Sequence, residues 1–155
     1  MVNHDIKLEM VIKFEQDESR KDIEVKITYP VKDSEFERIV SMLKMLDVKI
    51  ECNTENNVKL VNVSDIYYIE SIENRTFVYC KKETYQTKYR LYQLSEKLAV
   101  SGFVQISKYC IMNINKLDSF KPLFNSRMEA VLTNGVHLHI TRKYLPKIKM
   151  LLEDE

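Results

Sequence analysis

Short segments in which apolar and polar residues alternate recur along this chain, and this periodicity constrains its fold more than any other feature. The clearest region runs from Gly102 to Tyr144, where apolar positions alternate with Lys, Arg, Asn and Ser. Successive side chains of a strand point to opposite faces, so this alternation indicates strands with one buried face. Asn134 and Gly135 form a strong hairpin signal, because both residues tolerate positive φ. The sequence therefore predicts mainly antiparallel strands.

From residue 58 onward the same pattern predicts seven strands, at 58–63, 65–72, 76–82, 103–107, 117–124, 127–133 and 136–141. Two helices interrupt them. The first covers residues 90–98, with Leu91, Leu94 and Leu98 facing inward, and the second covers roughly residues 143–152. The predicted fold class is mainly β with short helices (α+β).

The first 52 residues predict a β-β-α-β unit. Residues 6–14 and 23–29 alternate as two strands of a hairpin, and residues 34–47 repeat apolar side chains at helical spacing. Ser34 is the expected N-cap of this helix, with Glu37 completing a capping box. A third strand covers residues 48–52, and the turn-rich segment 52–57 marks a boundary between domains 1–55 and 56–155. So small a unit is marginal alone, so we expect it to pack on the remainder or to dimerise.

Composition excludes several classes of protein. No apolar run approaches the roughly 18 residues that a membrane span requires, and the first residues lack the apolar stretch of a signal peptide. The three cysteines form no Cys-x-x-Cys pair, which favours reduced thiols in a cytoplasmic protein. Only two glycines are present, without a Gly-rich cluster, which excludes a P-loop or a dinucleotide-binding fingerprint.

Evidence for enzymatic chemistry is sparse. His137 and His139 occupy alternate positions of one strand, so they share a face and could ligate a metal, but no cysteine or carboxylate at matching spacing supports them. Cys110 could be a nucleophile, although no local signature accompanies it. We therefore expect no metal, no cofactor and no enzymatic activity.

The charge distribution favours a polyanionic partner. Residues 1–60 hold ten basic and thirteen acidic side chains, whereas residues 61–155 hold fourteen and ten. In the second part, cations occur at strand ends and turns, at Arg75, Lys108, Arg127, Arg142 and Lys143. Such residues either form a solubilising rim or meet phosphates, and arginine can also pair with guanine. Tyr109 follows Lys108 and is the best candidate among the tyrosines for stacking on a base.

Six segments together resemble the LytTR family of DNA-binding domains: DIYYIES (65–71), ENRTFVYC (73–80), RLYQLSEKL (90–98), FVQISKYCIMNINKLDSF (103–120), FNSRMEAVLTNG (124–135) and ITRKYL (140–145). The resemblance covers residues 58–152. It implies small antiparallel sheets, and it implies a transcription regulator that docks loops and strand ends into successive grooves of double-stranded DNA at promoter repeats.

The resemblance also assigns candidate DNA contacts at three places. They are the hairpin at Asn74 and Arg75, the pair Ser107 and Lys108, and Arg142 with Lys143 after the last strand. The family commonly has His-Arg at the second place, so Ser-Lys replaces a bidentate donor and a ring with a point charge.

The N-terminal unit departs from many family regulators, which carry a phosphorylatable receiver domain. The first 52 residues are too few for one, so we expect no control by phosphorylation. The resemblance instead implies that this unit forms a homodimer or binds a membrane-bound regulatory partner. The competing hypothesis is a non-catalytic protein-interaction or effector-binding module whose basic rim only improves solubility.

Overall fold

The computed structural model of this protein describes residues 10–46 and 48–153. Three α-helices are present in these residues: α1 (Ser34–Met45), α2 (Leu91–Leu98) and α3 (Leu145–Glu153). The strands are β1 (Lys49–Asn53), β2 (Val58–Asn62), β3 (Ile66–Ile72), β4 (Arg75–Cys80), β5 (Thr84–Thr87), β6 (Phe103–Ser107), β7 (Cys110–Asn113), β8 (Leu117–Leu123), β9 (Arg127–Leu132) and β10 (His137–Ile140). The predicted fold class, mainly β with short helices, is confirmed.

The strands form two antiparallel sheets. The larger sheet has the order β2-β1-β5-β4-β3-β7-β6, and the smaller has the order β10-β9-β8. Most neighbouring strands of the large sheet are joined by short turns. Because the strands alternate in direction, turns that are far apart in the sequence lie at the same end of the sheet. No helix within residues 10–46 and 48–153 has the length and apolarity needed to cross a membrane.

Each face of the large sheet buries its own apolar cluster. On one face, Ile69 pairs directly with Val78 on one side and Ile111 on the other, and α1 and α2 add Met45, Leu94 and Leu98 to this cluster. The opposite face meets the small sheet and α3, whose buried side chains include Met128, Leu132, Ile140 and Ile148. Each fully buried aliphatic side chain contributes roughly 1.5–3 kcal/mol, so both clusters hold the strands in register.

Helix α1 forms where its periodicity predicts, but its cap differs from the expected one. Asp33, and not Ser34, is the N-cap, because its side-chain carboxylate accepts a hydrogen bond of 2.9 Å from the backbone N–H of Phe36. Ser34 is the first helical residue. An aspartate cap also places negative charge at the positive end of the helix dipole.

The predicted N-terminal hairpin is wrong for the residues that the structure describes. Residues 10–33 contain neither strand nor helix, and residues 6–9 of the first expected strand lie outside the described residues. Residues 10–31, termed the N-terminal arm, expose most of their large apolar side chains, with Phe14 and Ile23 exposed to 93% and 95%. Alternation alone could not form these strands, because a strand also requires a partner for its backbone groups.

The third strand of the predicted β-β-α-β unit is present as β1, but it does not form a separate small sheet. It lies between β2 and β5 in the large sheet. Thr87 on β5 donates its hydroxyl hydrogen to the carbonyl of Glu51 on β1 at 2.8 Å. The predicted domain boundary after residue 55 stays a prediction. Strand β1 lies before this boundary and pairs with β2 and β5, which lie after it.

Candidate nucleic-acid interface

The turn between β3 and β4 presents the first pair of predicted contact residues. Glu73 and Asn74 have φ values of 50° and 65°, and Ile72 pairs with Arg75 across the turn. Two consecutive residues with positive φ are typical of a type I′ hairpin turn, whose twist matches that of the strands. Asn74 and Arg75 are both exposed. Arg90, just before α2, donates from Nη1 to the carbonyl of Asn74 at 3.0 Å.

The turn between β6 and β7 brings the second pair beside the first. Ser107 pairs with Cys110, so Lys108 and Tyr109 form the turn. The carbonyl of Tyr109 accepts a hydrogen bond of 2.8 Å from the backbone N–H of Ser71, which lies at the end of β3. Lys108 is exposed and Ser107 is half-buried. The two hairpin turns therefore lie next to each other at one end of the large sheet.

The third pair joins the same end through a contact between the two sheets. The backbone N–H and the hydroxyl of Thr141 both donate to the carbonyl of Ile106, at 2.9 and 3.3 Å. This contact fixes the chain after β10 next to the end of β6. Arg142 then donates from Nη2 to the carbonyl of Asn125, in the turn between β8 and β9, at 3.2 Å.

These contacts gather cations from five segments at one end of the molecule, termed the basic end: Arg75, Arg90, Lys108, Arg127, Arg142 and Lys143. Strands β4, β3, β7 and β6 are neighbours, and three spacings of about 4.8 Å separate the outer two by roughly 14 Å. That distance is comparable to the width of about 12 Å of the DNA major groove. The basic end can therefore lie across a duplex surface.

The cations of the basic end are available to an external anion. Within the described part of the chain, the ion pairs lie elsewhere. Lys108 Nζ lies 5.3 Å from the ring centroid of Tyr109, and Lys143 Nζ lies 5.5 Å from that of Tyr144. These cation–π contacts orient the two ammonium groups without neutralising them.

The structure brings together all six residues that the sequence singled out, and it adds Arg90. In the sequence Arg90 is only the residue before a helix, because its contact with Asn74 spans sixteen positions. The one feature in the sequence that pointed to Arg90 as a contact residue was its positive charge, which is the same as that of Arg75.

The thiol of Cys110 does not fit the nucleophile hypothesis. Burial is the main cause that raises its pKa, to about 12, and the carboxylate of Glu70 adds to the effect. Glu70 also accepts a hydrogen bond from the hydroxyl of Tyr79 at 3.3 Å, and burial is again the first cause that raises the pKa of Tyr79 to about 12. Neither group ionises near neutral pH, so Cys110 would not act as a thiolate there.

The histidine pair lies on β10, opposite β9. His139 is directly opposite Glu129, whose carboxylate contacts Nδ1 of His137 and lies 3.6 Å from Nζ of Lys121. The contact with His137 is the main cause that lowers the pKa of Glu129. In residues 10–46 and 48–153 no group of three or more His, Cys, Asp or Glu residues is placed to hold a metal ion.

Comparison with known proteins identifies one domain family over most of this chain. The LytTr DNA-binding domain family matches residues 56–153. The sensory transduction protein LytT of Bacillus anthracis is 31% identical over 104 residues, covering 67% of this chain and 42% of that protein. The transcriptional regulatory protein YpdB of Escherichia coli K12 is 30% identical over 118 residues, covering 63% of this chain and 48% of that protein. The aligned region thus spans less than half of these relatives.

A solved structure has the same fold. It is the LytTr DNA-binding domain of a methyl-accepting/DNA response regulator from Bacillus cereus, with a TM-score of 0.63 and 22% sequence identity, covering 67% of this chain and 95% of that one. The expected resemblance is confirmed by the family match, the related sequences and the shared fold. This chain belongs to the LytTr DNA-binding domain family.

Proposed function

We propose that this protein is a sequence-specific transcriptional regulator that binds double-stranded DNA through its basic end and has no enzymatic activity. The observation that carries the proposal is the convergence of six exposed cations from five segments at one end of two packed sheets. Counterion release from phosphates gives such a surface its affinity. Asn74, Ser107 and the arginines add hydrogen-bonding groups that can read base edges.

The proposed binding mode uses turns and strand ends and no recognition helix. Arg75 and Asn74 project from one turn, Lys108 from the next, and Arg142 and Lys143 follow β10. Because each turn is anchored by backbone hydrogen bonds to its neighbour, the contact groups are held in place before binding. Preorganisation of this kind lowers the entropic cost of association.

The assembly proposed for this regulator is a homodimer in the cytoplasm that binds repeated promoter sites. Its support is the N-terminal arm, most of whose large apolar side chains are exposed in a single chain. A membrane-bound regulatory partner is the second candidate for the molecule that binds the exposed arm. A purely protein-binding or effector-binding module is the alternative function, and it would leave the basic end without a ligand.

Selection from a pool of random duplex DNA at near-physiological salt tests this proposal. The retained fraction is sequenced, and an enriched motif is expected. A variant that combines Arg75→Ala, Lys108→Ala and Arg142→Ala should enrich nothing, whereas the matched control Arg38→Ala, an exposed arginine on α1, should enrich the same motif. Binding without enrichment that declines steeply with salt would contradict sequence specificity. No binding by the unaltered protein would favour the interaction module.

A further inference from the structure

The large sheet has one edge at β2, to which no other strand within residues 10–46 and 48–153 is paired on its outer side. Val58 and Leu60 project from β2 and are exposed to 63% and 58%. The strand contains neither proline nor glycine, and Lys59 is its one charged residue. An open edge of this composition is a ready template for another extended segment.

The N-terminal arm has the pattern that such an edge accepts. In residues 23–29, Ile23, Val25, Ile27 and Tyr29 alternate with Glu24, Lys26 and Thr28. The first two apolar side chains are exposed to 95% and 61%, although a strand with this alternation should bury one face. The arm and the β2 edge are therefore complementary. Within the described residues the arm segment pairs with no strand, although the ring of Tyr29 lies 4.0 Å from that of Phe36 on α1, and the outer side of β2 has no neighbouring strand.

A basic cleft adjoins the same edge. Its cavity of about 570 Å³ is lined by residues 59–62 of β2 and by the β4–β5 turn, and four lysines surround it with two carboxylates: Lys59, Lys81, Lys82, Lys116, Asp65 and Glu83. The aromatic rings of Tyr67 and Tyr85 form part of the wall, and Lys116 Nζ lies 4.9 Å from the ring centroid of Tyr67. The cleft lies at the end of the sheet opposite the basic end, because β3, β4 and β7 each have one terminus at either site.

The charge of the arm matches this cleft. Residues 15–24 carry five carboxylates and two cations. Arg20 pairs with Asp17 at 3.5 Å and with Glu24 at 3.4 Å, while the ion pairs of the described residues do not include Glu15, Glu18 or Asp22. The eight residue-to-residue steps from Glu15 to Ile23 can span up to roughly 26 Å when the chain is extended. A segment that pairs with β2 through residues 23–29 can therefore place its acidic part at the lysines of the cleft.

We propose that the N-terminal arm of a second copy of this chain docks on β2, with residues 23–29 as an added strand and the carboxylates of Glu15 and Glu18 against the lysines of the basic cleft. Each copy has one arm and one edge, so the exchange is reciprocal and closes as a two-fold dimer. This inference rests on the homodimer of the proposed function and identifies its interface. The interface is the lateral β2 edge with the adjoining cleft and includes no residue of the basic end, so both DNA-binding surfaces stay free.

Reversal of charge on the two halves of the interface tests the proposal. Lys81→Glu with Lys82→Glu makes the cleft acidic, and Glu15→Lys with Glu18→Lys makes the arm basic. Each double variant alone should repel its own copies and raise the dimer dissociation constant at least tenfold in sedimentation velocity. An equimolar mixture should restore the dimer, because each arm then meets a cleft of opposite charge. Lys149→Glu, an exposed position on α3, is the matched control.

Two outcomes would overturn the proposal. If the unaltered protein is a monomer at all concentrations, or if the mixture of the two double variants stays monomeric, the arm does not bridge two copies by these charges.

A mixture of Val25→Cys and Leu60→Cys chains adds a positional test, since oxidation should link one chain of each kind. Linkage within the Val25→Cys sample alone would show that arms pair with arms, and would reject the β2 edge.

The failure of this interface is distinguishable from a failure of DNA binding. Oligomeric state is measured without DNA, and binding of each variant to one isolated site is measured separately. Variants that lose the dimer should keep the affinity of the unaltered chain for a single site within about threefold, because their substitutions lie away from the basic end.

Discussion

At the scale of single residues, the two cations after β10 differ in what their head groups can do. Arg142 carries a planar guanidinium that already donates to the carbonyl of Asn125, which restricts its orientation. Lys143 carries a compact ammonium near the ring of Tyr144. A guanidinium can pair bidentately with guanine, whereas an ammonium acts mainly as a point charge toward phosphate.

Substitution of these two residues should therefore give different results. Arg142→Ala should cost about 1–3 kcal/mol of binding free energy and relax specificity at one base. Lys143→Ala should weaken binding to all sequences alike and reduce the slope of affinity against salt by about one unit. Titrations against the selected motif and a scrambled duplex at several salt concentrations measure both effects. Arg38→Ala and Lys44→Ala on α1 are the controls, and identical profiles for the two variants would refute this assignment.

The two glycines allow a steric effect to be separated from a conformational one. Both have φ of +87°, but a Cβ on Gly102 would lie 2.6 Å from Nδ2 of Asn115, whereas a Cβ on Gly135 meets nothing within 4 Å. Alanine at either position carries the strain of positive φ, roughly 1–2 kcal/mol. Gly102→Ala should lose a further 1–3 kcal/mol, roughly, through overpacking. Urea unfolding measures both, and equal losses would mean that Asn115 moves aside freely.

The three thiols, two of them buried and that of Cys80 half-buried, make the stability of the fold depend on pH. Burial raises the pKa of Cys52 and Cys80 to about 11 and that of Cys110 to about 12, while an unfolded thiol titrates near pH 8.5, roughly. Below that pH the thiols are protonated in both the folded and the unfolded state, so they do not reduce the free energy of unfolding. As the pH rises toward 11, the unfolded state loses protons first, so the free energy of unfolding falls. Cys110→Ala should show a shallower decline between roughly pH 8.5 and 10 in urea titrations, and an equal decline would contradict this.

At the scale of elements, the β3–β4 turn combines a structural role with a proposed functional one. Asn74 adopts φ of 65°, which asparagine and glycine tolerate better than alanine. Its carbonyl also anchors the side chain of Arg90. A turn of this kind holds its contact groups at the tip of a rigid hairpin.

Two substitutions separate these roles. Asn74→Gly keeps the turn and removes the amide, so the melting temperature should stay nearly unchanged while affinity for the selected DNA falls by roughly 1 kcal/mol, the cost of one hydrogen bond. Asn74→Ala should lower both the affinity and the stability. Thermal unfolding and DNA titration of both variants provide the measurement. Full affinity in Asn74→Gly would show that the side chain does not read DNA.

Two strands of the large sheet could not be recognised from their own sequences. Strand β5 has four residues with the polar pattern Thr-Tyr-Gln-Thr, and it is a strand because β4 pairs with all four. Strand β7 is buried at every position, so it shows no alternation. Alternation of apolar and polar residues reveals a strand only when one of its faces is buried and the other is exposed. Strands β5 and β7 do not show this alternation.

At the scale of the whole molecule, a dimer should place two basic ends on the same face of DNA. Two sites about 10.5 base pairs apart, or a multiple of that, would present equivalent grooves to both copies. Insertion of about 5 base pairs rotates one site to the opposite side of the helix, so cooperative binding should be lost while binding to each single site is kept. Gel-shift titrations of the spacing series test this. Affinity that does not depend on spacing would indicate independent monomers.

The sequence by itself determined the fold class, the positions of most helices and strands, and the family. These features depend on local patterns: alternation for half-buried strands, helical spacing for α1 and α2, and Asn-Gly for a turn. It also singled out the contact candidates, because cations at strand ends and the ordered motifs are visible along the chain. No tertiary information is needed for such features, since neighbouring residues alone create them.

Only the tertiary structure decided how these pieces combine. Register and the Thr141–Ile106 contact bring Arg142 beside Lys108, 34 positions away, and the contact with Asn74 adds Arg90 to the basic end. The structure also shows no strand in residues 10–33, where the N-terminal hairpin was predicted, although residues 23–29 alternate as regularly as the true strands. Alternation specifies which face of a strand would be buried, but a strand forms only where another backbone satisfies its hydrogen bonds.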